Sequence, residues 1–146
     1  MMLDSQIIIE FNELRTRQPG NWRECGYAEG EISNAERKFG RLFDVQYKTF
    51  LKLYGACCLG QHTIVGISPF TELSINMQDI FEINLTVKRY LDYVDFQDWF
   101  IIGDDTNGNY WTMNAIGNIG FLDHDDGEIV NRYCSFSNWI IQYFYN

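Results

Sequence analysis

Apolar positions recur along this chain in two rhythms. Leu3, Ile7, Phe11 and Leu14 return every three or four residues, the period of one helix face, and predict an amphipathic helix over about 4–17. Gln18-Pro19-Gly20-Asn21 ends it. Residues 21–30 read as an extended crossing segment. Ser33 and Glu36 have the spacing of a capping box, so a short helix follows and stops at Gly40. Asp44 caps the next helix, whose buried face is Tyr47, Phe50, Leu51 and Tyr54, and Gly55 stops it. Residues 63–67 read as a strand. Residues 76–93 read as a helix with Ile80, Ile83, Val87 and Leu91 on one stripe.

The rhythm then changes. The runs 99–103, 109–114, 119–123 and 128–132 are aromatic or β-branched. Asn107-Gly108, Gly117-Asn118 and Asp126-Gly127 separate them. Tight hairpins need positive φ, which Gly adopts freely and Asn and Asp tolerate, so the pattern predicts an antiparallel meander. Trp99, Ile101 and Gly103 face one way on the first of these strands, Phe100 and Ile102 the other. Both sets are apolar, so this strand should be central and covered on both sides. After the meander, Ser135 or Ser137 caps a terminal helix burying Phe136, Ile140 and Phe144. Strands cluster rather than alternate with helices, which indicates a single-domain α+β fold over 1–146, the meander packed by N-terminal, central and C-terminal helices. Phe50, Leu51, Ile101, Ile102 and Trp139 should share its core.

Composition narrows the class. At 146 residues with 16% aromatics and two prolines, the chain can bury a sizeable core and shows no linker or repeat. The N-terminal residues lack a signal-peptide pattern, and no apolar run is long enough to span a membrane. Cys25, Cys57, Cys58 and Cys134 have no CxxC spacing. The expectation is therefore reduced thiols in the cytoplasm.

Charge adds a location. Between Tyr90 and Asn131 there are nine acids and no Lys or Arg; the remaining residues hold eleven acids and eleven bases. The net charge of −9 thus belongs to this stretch. Such a field disfavours nucleic acid and anionic lipid and favours a basic partner, although acids at turns also serve solubility.

Candidate chemistry is sparse. Asp123-His124-Asp125-Asp126 could hold a metal, but strand alternation would turn His124 away from Asp123 and Asp125. A calcium loop around Gly108 would need acids at Gly103 and Asn114. Adjacent Cys57 and Cys58 with His62 lack zinc-chelating spacing. No GxSxG, GxxxxGK[ST] or HExxH occurs. The expectation is no metal, no cofactor and no catalysis.

Residues 30–146 resemble, in order, the SUKH superfamily in its Smi/Knr (cell-wall assembly regulator) branch. Ile32-Ser-Asn-Ala-Glu36, Phe39-Gly40, Leu42, Tyr47, Phe50-Leu51 and Gly55 are similar to its helical signature. Phe43 stands where the family usually has Pro, and Tyr54 where it has Asn. Ile64-Val-Gly66-Ile resembles its Gly-bearing strand, and 99–110 its apolar strand and Gly turn. Phe121-Leu-Asp-His124-Asp and Ser135-Phe136-Ser-Asn-Trp-Ile resemble its last strand and terminal helix. The resemblance implies a sheet backed by helices. In bacteria it implies an immunity protein that neutralises a cognate toxin, frequently a nuclease. It brings no catalytic residues.

Together these readings give a protein-binding domain whose partner is a basic toxin domain, with neither nucleic acid nor membrane as partner. Asp104, Asp105, Asp123, Asp125, Asp126 and Glu128 supply the charge, and Tyr110, Trp111 and Tyr133 are expected as exposed anchors. The turns 104–108 and 123–127 join odd to even strands, so they should lie at one end of the meander. The alternatives are a regulatory scaffold, as in the family's fungal branch, and an enzyme built on the 104–126 carboxylates.

Overall fold

A computed structural model describes residues 3–17, 21–69 and 77–144. Helix α1 is Leu3–Arg17. Phe11 and Leu14 face the core, while the side chains of Leu3 and Ile7 and the expected stop at 18–20 lie outside the described residues. Strand β1, Asn21–Trp22, pairs with β2, Cys57–Leu59, and β2 pairs with β3, His62–Ile64, all antiparallel. The crossing segment is shorter than expected, because helix α2 already begins at Glu29 and runs to Phe39.

That early start corrects the capping box. The Ala28 N–H donates to the Glu31 carboxylate at 2.9 Å, the return half of such a box five residues upstream with no side-chain acceptor at Ala28, and Ser33 and Glu36 fall inside the helix. Glu36 has another task. Its carboxylate is buried and accepts the Phe43 N–H at 2.7 Å, with Lys48 3.8 Å away. A proline at 43 would have no N–H to give.

Helix α3, Val45–Leu53, is capped as expected by Asp44, whose carboxylate accepts the Gln46 N–H at 2.9 Å. Gly55 follows with φ +83°. Helix α4, Ile80–Tyr90, is shorter than the pattern indicated. Asp79 caps it by accepting the Glu82 N–H at 2.8 Å, which fixes the start four residues after the expected one, and residue 76 lies outside the described residues.

The meander forms as expected from β4 Phe100–Asp104, β5 Tyr110–Met113, β6 Ile119–Leu122 and β7 Ile129–Tyr133, in spatial order β4-β5-β6-β7. Gly108, Gly117 and Gly127 take φ of +88°, +89° and +71° at its three turns. The Val65 N–H reaches the Ile102 carbonyl at 2.8 Å, and Thr63 lies against Asp104, so the three-stranded sheet joins β4 edge to edge. A Cβ on Gly103 would overlap the Thr63 carbonyl oxygen. Only glycine permits that approach. Strand β4 is thereby central, as its two apolar faces required.

Helix α5, Phe136–Trp139, is capped by Ser135 rather than Ser137 and runs into a π-helical turn, Ile140–Phe144. Phe136 and Ile140 are buried; the Phe144 side chain lies outside the described residues. Phe50, Leu51, Ile101, Ile102 and Trp139 are all fully buried in one core. Each such side chain contributes about 1.5–3 kcal/mol. The architecture is α+β, and no helix among the described residues is long and apolar enough to cross a membrane.

Candidate functional site: the acidic end of the meander

The β4–β5 turn is built around Asp105. Its carboxylate accepts the backbone N–H groups of Asn107 at 2.8 Å and Asn109 at 3.1 Å, and the Asn109 amide at 3.0 Å. Thr106 sits in the left-handed region at φ +62°, which these bonds sustain. Asp105 is 8% exposed. An acid that supplies surface charge would stand in water, and the structure corrects this for Asp105: a short acid beside a Gly turn bonds the turn's own N–H groups.

The β6–β7 turn repeats the device with less burial. Asp123 accepts the Asp125 N–H at 2.8 Å, and Asp126 accepts the Glu128 N–H at 2.9 Å. Asn109 ties the two turns together. Its side-chain oxygen accepts the His124 backbone N–H at 3.1 Å and lies 2.8 Å from His124 Nδ1. The His124 ring stands over Gly108, where a Cβ would come within 3.3 Å of it. The two turns therefore share one end of the meander, as strand order required.

A third segment reinforces this end. The Tyr93 ring lies on Gly127, and its hydroxyl donates to the His124 carbonyl at 2.6 Å. Tyr93 is nonetheless 60% exposed, and Tyr90 one turn earlier is 79% exposed. Neither was singled out from the sequence. The signal available was their place at the end of a helical stripe, which does not report exposure.

The expected residues divide. Asp125, Asp126 and Glu128 are exposed; Asp104, Asp123, Tyr110 and Tyr133 are half-buried. Trp111 is only 1% exposed and is no surface anchor. It packs against Trp139, Phe121 and Tyr143, because its strand face carries the C-terminal helix that the period alone did not assign to either side.

Electrostatics follow burial. Desolvation pushes the Asp104 carboxyl above its usual range, with the Thr63 hydroxyl bond at 3.1 Å working against it and the Asp105 charge adding to it. Burial and then Asp104 push the Tyr110 hydroxyl up. Across β3, burial lowers His62 while Asp105 and Asp104 oppose the shift. Its Nδ1 accepts from Trp111 Nε1 at 3.4 Å, and its Nε2 lies 3.1 Å from the Tyr143 hydroxyl.

Ligand atoms of Asp123, His124 and Asp125 lie within 4.8 Å of one another, which corrects the expectation that His124 points away. Residues 124–126 form a turn, so strand alternation does not govern them. Among the described residues, the four cysteines are free thiols and join no such group. As a surface, this end offers rigidly held carboxylates beside the exposed Tyr93.

Residues 26–142 match the model of the SMI1 / KNR4 family (SUKH-1). No curated protein matches the chain.

Proposed function

The chain belongs to the SMI1 / KNR4 family (SUKH-1), and from that membership we propose that it is an immunity protein, which binds a cognate toxin domain and neutralises it by covering it. The single observation that carries the choice of surface is the tied pair of acidic turns with the exposed Tyr93 alongside. Opposite charge raises the association rate and selects the partner, while the tyrosine helps to hold it. The toxin surface would be basic, of the kind that grips phosphate groups. Occlusion needs no chemical step, so the proposed protein is not an enzyme, and it would act in the cytoplasm where its target arises.

The test is co-expression with toxin domains taken from its genomic neighbourhood. Rescue of growth, a stoichiometric complex and titration of toxin activity one for one support the reading. Rescue by substoichiometric protein would indicate turnover. Absence of both rescue and complex would favour a regulatory scaffold.

A further inference from the structure

Strand β7 ends the meander, with β6 as its one strand neighbour among the described residues. An edge strand offers unpaired backbone groups to another strand. This edge carries neither Pro nor Lys from 128 to 133. Its side chains follow an order that is complementary to its own reverse, acid, apolar and base against base, apolar and acid. Glu128, Val130 and Arg132 are all exposed, at every second position. Val130 pairs with Phe121, and the Arg132 guanidinium lies 4.5 Å from the centre of the Phe121 ring, so Val130 and Arg132 share a face. The register shifts between Ile119 and Gly120, so Arg132 is unpaired on the β6 side while its side chain stays over Phe121, on the face of Val130.

We propose that β7 pairs antiparallel with β7 of a second copy of this chain, about a two-fold axis at Val130. In that register Val130 meets the partner's Val130, and Glu128 meets the partner's Arg132 on both sides of the axis. Moving the axis one residue toward Ile129 sets Glu128 against Val130. Moving it toward Asn131 sets Val130 against Arg132. Only the Val130-centred register gives apolar on apolar and opposite charge on opposite charge, and such cross-strand pairs decide register. The arrangement also suits the net charge. Antiparallel pairing sends the two acidic turns at 123–127 to opposite ends of the joined sheet, so the two negative fields do not stack. This inference does not rest on the toxin reading.

Sedimentation across a concentration series tests it. The wild-type protein is expected to dimerise, more weakly as salt rises. Glu128→Arg or Arg132→Glu alone turns two attractive pairs into two repulsive ones and should weaken the dimer by roughly tenfold or more. The double swap Glu128→Arg/Arg132→Glu should restore it. A second measurement places Val130→Cys in a Cys25→Ser/Cys134→Ser background, which removes the exposed thiols; oxidation should give a covalent dimer. A dimer indifferent to both reversals would show that another face forms it. A monomer at all concentrations with no cross-link at position 130, or an edge filled only by a strand of another protein, would overturn the proposal.

Discussion

One side-chain oxygen, that of Asn109, receives the backbone N–H of His124 and lies within hydrogen-bond reach of its ring nitrogen, at 3.1 and 2.8 Å. Residues 15 apart in sequence are joined, and with them two turns that the chain forms separately. The same amide donates to Asp105 at 3.0 Å. Asn109→Ala removes all three bonds. The expected loss is about 1–3 kcal/mol by urea denaturation, with faster hydrogen exchange at the His124 amide. Unchanged exchange there would show that the turns are held independently.

A second amide joins a helix to a strand. Asn84 on α4 accepts the Ile101 N–H at 2.7 Å and donates to the Ile101 carbonyl at 2.9 Å and the Ile80 carbonyl at 2.7 Å. It thus satisfies both backbone groups of a buried residue on the central strand. Asn84→Leu keeps the branched shape and leaves those groups unpaired, so stability should fall by about 3 kcal/mol. A midpoint within error of the wild type would mean that β4 finds other partners for Ile101.

These two amides mark the boundary of what the sequence shows. Turn residues at 107–108, 117–118 and 126–127 announced the meander because positive φ has few solutions. Helix stripes announced α3 and α4 because burial repeats with the helix period. Asn84 lies on the buried face of α4, four residues after Ile80, where the period shows burial and not the bond partner, and Asn109 sits in a turn, where Asn has a local reading already. Glu36 likewise read as a cap and serves Phe43 instead. Side chains that bond across elements leave no period behind. The site shows the same division: its location followed from charge and strand order, whereas the burial of Asp105 and Trp111 depends on what the other elements place over them.

His62 gives the pH response a sign. Burial lowers its imidazole below the usual value, against Asp105 and Asp104. The unfolded chain therefore binds this proton more readily than the folded one. The stability contribution is fully present above the unfolded value of about 6.5 and is lost as pH falls from there through the lowered folded value. His62→Gln should flatten the decline in urea midpoint between pH 7.5 and pH 5.5, the other titrating groups being common to both proteins. Parallel slopes would remove His62 from the acid response.

Convergence of Asp123, His124 and Asp125 invites a metal test. Asp123 already accepts the Asp125 N–H, and His124 Nδ1 already faces Asn109. Chelator treatment should leave the thermal midpoint unchanged. A rise of several degrees on adding zinc, abolished by His124→Ala, would establish a metal site here.

The central claim is that the acidic end recruits a basic toxin domain. The direct measurement is its association rate with that domain against salt concentration, for the wild type and for Asp123→Asn/Asp125→Asn/Asp126→Asn. Asn retains the oxygens that accept the Asp125 and Glu128 N–H groups, so the fold is preserved and Asp105 is left untouched. Exposed charges act over about 8–10 Å near physiological salt. The account predicts slower association at low salt and a shallower salt dependence for the triple variant, at unchanged stability. Identical rates and identical slopes would contradict it and leave these carboxylates to solubility and turn geometry alone.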